Sequence, residues 1–121
     1  MQKLQITEEH ITLDPILANI HPGTHLREDY FPQMGITEYR FAKLLGITQS
    51  HLADILANRR GVTANIAMRL GRLFNQSPEM WLMLQNKYDI AKALGDYGTE
   101  IQRVEPFVWP DESMQSDKIA A

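Results

Sequence analysis

The feature that most limits how this chain can fold is a pair of short apolar segments joined by a single glycine within residues 38–57. Two helices that meet at a tight turn bring their backbones close together, which requires a small residue in the first helix, and Ala42 is that residue. The turn also requires one positive φ, which Gly46 adopts without strain. Leu52 and Ile55 then recur at the spacing of one helix face directed at the core. This combination predicts a helix-turn-helix.

Capping residues predict where the helices begin and end. Ser, Thr and Asp side chains accept hydrogen bonds from the free N–H groups of a first helical turn, whereas Gly and Pro end helices. We predict five core helices that begin at the caps Thr24, Thr37, Thr48, Thr63 and Ser77 and end near Phe31, Leu45, Ala57, Asn75 and Gly95. Asp14 followed by Pro15 predicts a further short helix that runs to Ile20. Strand signals are nearly absent, so the predicted fold class is all-α.

The chain divides into a mixed lead-in (1–23), a helical domain (24–95) and an irregular tail (96–121). Pro106 and Pro110 preclude a continuous helix in the tail. The tail nevertheless holds apolar residues, and aromatic side chains in such a segment usually pack against another surface. That surface can belong to the same domain, to a dimer mate or to a separate partner. The apolar tail residues are Ile101, Val104, Phe107, Val108 and Trp109.

The composition does not require an oxidising compartment, and a reducing one is the simpler interpretation. The chain has 121 residues, about the length of one domain, and no cysteine, which excludes disulfides and thiolate metal sites. No segment approaches the roughly 20 apolar residues that span a bilayer, and polar residues interrupt every apolar run near the N-terminus. We therefore expect a soluble, cytoplasmic protein.

The distribution of charge is more informative than the net charge of −3. Residues 24–75 hold seven basic and four acidic side chains, a net charge of +3, whereas the flanking segments together carry −6. A basic centre suits a nucleic acid, and acidic flanks suit a basic protein partner.

Polar side chains cluster on the outward face of the second helix of the predicted helix-turn-helix. A recognition helix lies in the major groove of DNA with its N-terminal residues nearest the base edges. There Gln pairs with adenine and Ser contacts bases or phosphates, while cationic side chains and helix N-termini contact phosphates. The predicted DNA-binding residues are Thr37, Arg40, Lys43, Thr48, Gln49, Ser50, His51, Asp54, Asn58, Arg59 and Arg60.

The fifth predicted helix carries an unusually wide apolar stripe. Its apolar residues span about half of the circumference at roughly 100° per residue, whereas a helix packed on one core has a narrower stripe. The helix is either a well-buried terminal helix or one that contacts both its own domain and a symmetry mate. The predicted dimer interface consists of Met80, Met83, Leu84, Tyr88, Ile90 and Leu94.

Several short motifs within residues 21–93, about three-fifths of the chain, resemble those of a known family. They include His21-Pro22-Gly23, Gly35-Ile36-Thr37, Leu45-Gly46-Ile47-Thr48, Val62-Thr63 and Ser77-Pro78-x-x-Trp81-Leu82-x-x-Gln85. Residues 37–61 resemble the helix-turn-helix of the phage λ repressor and Xre superfamily. The wider stretch is similar to HigA-type antitoxins, also called the VapI group. The lead-in before His21 and the tail after Gly95 are longer than the family pattern.

The resemblance implies a five-helix λ repressor-like domain in a homodimer that represses its own operon and neutralises a RelE-like ribonuclease toxin. It also implies DNA contacts for Gln49, Ser50, Asp54, Arg59 and Arg60. Two alternatives stay open. One is a stand-alone Xre-family repressor without a toxin, and the other is a protein-binding module that mainly sequesters a basic partner.

No pattern predicts catalysis, a metal site or a cofactor. His21 and His25 precede Glu28 and Asp29, but a Pro-Gly break separates the two imidazoles and no third ligand is evident. The chain lacks a nucleophile elbow and a glycine-rich phosphate loop. We expect a protein that is not an enzyme and that binds no metal or cofactor.

Overall fold

The computed structural model describes residues 20–111, which form five helices and no strand. Helix α1 has three consecutive parts, an α-helical Pro22–His25, a π-helical Leu26–Tyr30 and an α-helical Phe31–Met34. The other helices are α2 (Glu38–Leu45), α3 (Gln49–Leu56), α4 (Ala64–Phe74) and α5 (Pro78–Gln102). The predicted all-α class is confirmed. The helix predicted to begin at Asp14 lies, apart from its last residue, outside the described residues.

The predicted N-caps of four helices are confirmed. Thr37, Thr48 and Thr63 have extended backbones, and each hydroxyl oxygen accepts a hydrogen bond from the N–H three residues later, at 3.1, 3.0 and 3.3 Å. Ser77 accepts from the Glu79 N–H at 3.3 Å at the start of α5. These bonds satisfy amides that have no partner within the helix. The starts of α2 to α5 therefore follow from the local sequence.

Helix α1 begins earlier and ends later than the sequence predicts. The predicted start at Thr24 is wrong because His21 provides the cap, with its Nδ1 accepting a hydrogen bond from the Gly23 N–H at 2.9 Å. The predicted end before Pro32 is also wrong, since the helix continues past it and stops at Gly35, whose φ is 65°. Pro32 follows a π-helical turn, whose extra residue moves the preceding carbonyls away from the proline ring.

The His21 cap also ties α1 to α5. Its side chain is buried, and its ring centroid lies 4.9 Å from that of Tyr88 in an edge-on contact. Burial lowers the pKa of His21, and the nearby Asp89 carboxylate offsets only part of this effect. The imidazole is therefore neutral at pH 7, and because Nδ1 is the acceptor, its proton lies on Nε2.

A single hydrophobic core unites residues from all five helices. Trp81 of α5 is fully buried, and its Nε1 donates to Gln76 Oε1 at 3.2 Å, while Gln76 Nε2 donates to the Tyr30 hydroxyl at 2.8 Å. The buried indole N–H thus has the partner that it needs. The buried apolar residues are Leu26, Phe41, Ala42, Leu45, Leu52, Ile55, Leu56, Val62, Ile66, Ala67, Leu70 and Trp81.

Helix α5 is longer than predicted and also holds the loop that follows α3. The predicted end at Gly95 is wrong, since the helix continues to Gln102 with one non-helical residue, Tyr97 (φ −128°, ψ 17°). A glycine costs a helix only about 1 kcal/mol, too little to end a long one. Near its start, Gln85 Oε1 accepts a hydrogen bond from the Val62 N–H at 2.7 Å. The N-terminal half of α5 is thereby fixed to the loop.

Gly23 allows α1 to approach α3 closely. A Cβ at this position would lie 1.9 Å from the backbone oxygen of Ile55 in α3. No side chain fits there unless one helix moves, so the packing of α1 on α3 requires glycine.

We predict that Gly23→Ala destabilises the fold by about 1–3 kcal/mol or more, as overpacking does. Gly95→Ala is the matched control, because a Cβ there meets nothing within 4 Å and the residue lies inside α5. This control should stabilise the protein by up to about 1 kcal/mol. Urea denaturation followed by circular dichroism measures both changes. Equal stability of the two variants would contradict the close approach.

Candidate nucleic-acid interface

A tight turn joins α2 to α3 and sets the angle between them. The Ile47 N–H donates to the Ala42 carbonyl at 3.1 Å across Gly46, whose φ is 73°. From α4, Arg69 Nη1 donates to the Leu45 carbonyl at 2.8 Å and to the Gly46 carbonyl at 3.3 Å. The predicted helix-turn-helix is confirmed. Sequence reasoning missed the part that Arg69 plays, because its partners are 24 and 23 residues away.

The outward face of α3 carries the residues predicted to read bases. Gln49 and Ser50 lie in its first turn and are exposed, while Leu52, Ile55 and Leu56 of the same helix are buried. Because one face is packed on the core, the polar face points away from the protein. A recognition helix enters the major groove in this orientation.

His51 lies next to this exposed pair and is half-buried. Burial lowers the pKa of its imidazole, and the nearby Arg60 cation lowers it further, against a smaller opposing effect of Asp54. The imidazole is therefore mainly neutral at pH 7, with one ring nitrogen a donor and the other an acceptor. In this state the side chain can donate a hydrogen bond to an acceptor on a base edge or accept one from a donor there.

Asp54 is paired within the protein. Arg59 Nε and Nη2 both lie close to Oδ1 of this carboxylate, at 3.0 and 2.9 Å. The backbone N–H groups of Arg59 and Arg60 also donate to the Asp54 carbonyl, at 2.8 and 3.2 Å. Arg59 therefore differs from Arg60, because a neighbouring carboxylate partly neutralises its charge.

Asn58 connects the end of α3 to α1. Its backbone is left-handed, with φ of 63°, and its Nδ2 donates to the Thr24 hydroxyl at 2.8 Å. The side chain stays exposed, but one of its amide donors is used within the protein. Sequence reasoning assigned Asn58 to DNA alone and missed this contact, which needs the position of α1.

Helix α2 presents the other predicted phosphate contacts. Thr37, Arg40 and Lys43 are all exposed. Tyr39 is also exposed, and Lys43 Nζ lies 5.4 Å from the centre of its ring, a cation–π contact. Sequence reasoning missed Tyr39, although its spacing of four residues from Lys43 was a usable signal. The exposed side of α2 thus combines two cations with an aromatic ring.

Two of the seven basic residues in 24–75 stabilise helix C-termini. Arg27 Nη1 donates to the carbonyl of Leu56, the last residue of α3, and its Nη2 donates to Glu28 at 3.1 Å. Arg69 binds the end of α2 in the same way. Cations at these ends complement the helix dipole. The exposed basic side chains of this region are Arg40, Lys43, Arg59, Arg60 and Arg72.

The structure divides the predicted dimer residues into two groups. Met80, Leu84 and Tyr88 are half-buried, and the first two pack on the protein's own core. Met83, Ile90 and Leu94 are 50%, 61% and 57% exposed. Sequence reasoning did not include Tyr97 and Ile101, which are 58% and 45% exposed, because it ended α5 at residue 95.

Within residues 20–111, no group of three or more His, Cys, Asp or Glu side chains is placed to hold a metal ion. His25 contacts Asp29, with Nδ1 2.5 Å from Oδ2. In the same range, every helix is too short or too polar to cross a membrane.

Comparison with known proteins relates this geometry to a family. A helix-turn-helix family model matches residues 26–81. Virulence-associated protein I of Dichelobacter nodosus is 40% identical over 77 residues, which cover 64% of this chain and 71% of that protein. Antitoxin HigA of Pseudomonas aeruginosa, solved with the higBA promoter, is 34% identical with a TM-score of 0.69 over 74% of this chain and 99% of that one. Antitoxin GraA in complex with its operator is 37% identical, with a TM-score of 0.69, over 74% and 92% of the two chains.

The fold and the outward face of α3 define a helix-turn-helix protein. More narrowly, the chain belongs to the HigA-type, or VapI, family of Xre-like helix-turn-helix proteins. The resemblance read from the sequence is therefore confirmed. None of the three relatives is named as an enzyme.

Proposed function

We propose that this protein binds a specific DNA operator, represses its own operon and acts as the antitoxin of a HigB/HigA-type pair. The observation that carries the DNA-binding part is the exposed Gln49–Ser50 pair on the first turn of a recognition helix whose opposite face is fully packed. Both helices of the motif are capped, so the pair is held on a rigid element. Relatives of the same fold have been solved with a promoter or an operator. Binding to DNA implies the cytoplasm as the site of action.

The side chains around α3 have two different tasks in this proposal. Gln49, Ser50 and His51 face the base edges, where hydrogen bonds distinguish one base pair from another. Arg40, Lys43, Arg59 and Arg60, with the capped helix starts at Thr37 and Thr48, contact phosphates and supply affinity that does not depend on sequence. Asp54 and Asn58 orient this face through their bonds to Arg59 and Thr24.

The antitoxin part of the proposal rests on the family and on charge. A relative that this chain covers over 99% of its length is named antitoxin HigA. The segments that flank residues 24–75 carry a net charge of −6, which complements a basic ribonuclease of the RelE type. The toxin would thus meet a surface separate from the basic face of the helix-turn-helix.

A homodimer is the third part of the proposal. Met83, Ile90 and Leu94 are exposed on α5 and are not among the residues that pack against the core of the chain. Exposed apolar side chains that follow one another along a helix mark an interaction surface. A dimer with a twofold axis matches the two half-sites of a palindromic operator.

Fluorescence anisotropy with duplex DNA from upstream of the protein's own gene, against random duplex at two salt concentrations, tests the proposal. Tight, salt-dependent and sequence-selective binding supports an autoregulator. Weak binding that does not distinguish the two duplexes contradicts it and favours the protein-binding module. A pull-down with the product of the neighbouring gene tests the antitoxin part separately.

We predict that Gln49→Ala costs about 1–3 kcal/mol in binding to the operator and relaxes specificity at one base pair, because it removes a base contact. The matched control is Gln33→Ala, which lies on α1 and whose amide bonds to the Asp29 carbonyl at 2.8 Å. Competition with operators that differ at single positions identifies the base pair. An equal loss on operator and random DNA for Gln49→Ala would refute its assigned task.

We predict that Arg60→Ala weakens binding to operator and random DNA alike and lowers the slope of log affinity against log salt by about one. Arg59→Ala should also weaken binding, because it leaves the Asp54 carboxylate without its ion pair near the phosphates. The double variant Asp54→Ala, Arg59→Ala should recover part of this loss. Salt titrations of the three variants provide the measurement, and an unchanged slope for Arg60→Ala would argue against a phosphate contact.

We predict that Leu94→Asp converts a micromolar dimer to a monomer, because it places a charge in the apolar row of α5. Thr99→Asp is the control, since this exposed residue lies on the other side of the same helix. Sedimentation velocity distinguishes the two states. A monomeric natural sequence at micromolar concentration would rule out the dimer.

A further inference from the structure

The residues after α5 have no regular secondary structure and are mostly exposed. This segment, residues 104–111, is here named the arm. Val104, Phe107, Val108 and Trp109 are 75%, 64%, 87% and 68% exposed. The rings of Phe107 and Trp109 contact each other edge-on, with centroids 4.6 Å apart. Two aromatic residues that remain mostly exposed leave a large apolar surface for another contact.

A groove with complementary chemistry lies on the surface of α4. Its first part, of about 510 Å³, lies between α2 and α4, and a second part of about 370 Å³ leads from α4 to the start of α5. Met68 and Arg72 line both parts, and Met68 is 62% exposed. The groove, named here the α4 groove, combines apolar and cationic side chains. Its lining includes Leu44, Met68, Arg69, Arg72 and Pro78.

The arm leaves α5 at the end opposite to the one where the α4 groove opens. The second part of the groove lies beside Pro78, the first residue of α5, whereas the arm follows the other end of that helix. Within one chain, the arm would have to run back along α5 to reach this part of the groove, whereas an arm from another copy of α5 could meet it directly.

The exposed row on α5 has the spacing of a helix-pairing stripe. Met83, Ile90, Leu94, Tyr97 and Ile101 are all exposed and follow at intervals of seven, four, three and four residues. Apolar residues that repeat every 3.5 positions pair with an equivalent stripe on another helix. Such a stripe suits a second copy of this chain.

The residues beside the stripe also suit a second copy. Ala91, Ala93 and Gly98 flank it. These small side chains let two copies of α5 approach closely, and the charged residue on this face is Lys87, which lies between Met83 and Ile90. The Lys92–Asp96 ion pair, at 2.9 Å, lies on the other side of the helix.

Antiparallel pairing of two such helices brings each arm to the other chain's groove. When Ile90 of one copy faces Leu94 of the other, the end of α5 that bears the arm lies beside the N-terminal part of the other α5. The α4 groove opens there, beside Pro78. The arm of one copy is thereby brought to the groove of the other.

We propose that the dimer is an arm-exchanged one, in which the arm of each copy binds the α4 groove of the other. Phe107 and Trp109 pack against the apolar side chains of the groove, such as Leu44 and Met68, while Glu105 and Asp111 lie near Arg69 and Arg72. Pro106 and Pro110 hold the arm extended, which reduces the entropy lost on docking. This inference rests on the homodimer proposed above, not on DNA binding.

Disulfide trapping tests the exchange, because the chain has no cysteine of its own. Full-length protein carrying Met68→Cys and Val108→Cys should form a covalent dimer under mild oxidation, and each single-cysteine variant should form far less. A disulfide within one chain, recognised as a monomer of altered mobility, would overturn the inference. The absence of a disulfide in a protein that still sediments as a dimer would also overturn the arm exchange. The proposal of a homodimer would stand in that case.

A second measurement does not depend on cysteine geometry. Phe107→Ala with Trp109→Ala should raise the dimer dissociation constant at least about tenfold, as loss of buried aromatic anchors does. The fold should be unaffected, since both side chains are exposed in the single chain. Arg72→Glu should also weaken the dimer, and Asp111→Arg should restore it. An unchanged dissociation constant in the aromatic variant would overturn the exchange, and a monomeric natural sequence would overturn the dimer on which it rests.

Discussion

The contact between α1 and the C-terminal turn of α3 determines where the polar face of α3 points. Gly23 lets the two backbones approach to a distance that no Cβ permits. Around this point, Asn58 bonds to Thr24 and Arg27 bonds to the Leu56 carbonyl, so polar groups close the same junction. The other end of α3 is held by the turn at Gly46. With both ends fixed, its outward face is a rigid surface rather than a mobile loop.

The sequence predicted the parts of the fold that depend on neighbouring residues. The caps at Thr37 and Thr48 and the left-handed Gly46 each act within a few positions, so their residue types suffice. The start of α1 was missed because a histidine cap is unusual, and its burial depends on Tyr88 of a distant helix. The contacts of Asn58, like those of Arg69, required the position of another helix, which periodicity does not supply.

Helix α5 illustrates why an apolar stripe alone does not identify an interface. Its wide stripe predicted either a well-buried terminal helix or a helix that contacts two surfaces, and it did not say which residues would belong to each surface. Trp81 and Leu84 pack on the core of the same chain, whereas Ile90 and Leu94 are exposed. Which apolar residues of α5 are buried depends on where α4 and α1 pack against it. The exposed group then continues beyond Gly95, because one glycine does not end a helix of this length.

The bond between the Val62 N–H and Gln85 Oε1 has a consequence for the geometry of any DNA that a dimer reads. Val62 follows the recognition helix, and Gln85 lies on the helix that would carry the twofold axis; Gln85 is itself held by Asp89, at 3.0 Å. Each recognition helix would therefore keep a fixed distance from that axis. Such a dimer selects half-sites by their separation along the duplex, about 34 Å for one turn. Operators with one base pair inserted between the half-sites would be rejected even when every contacted base is unchanged.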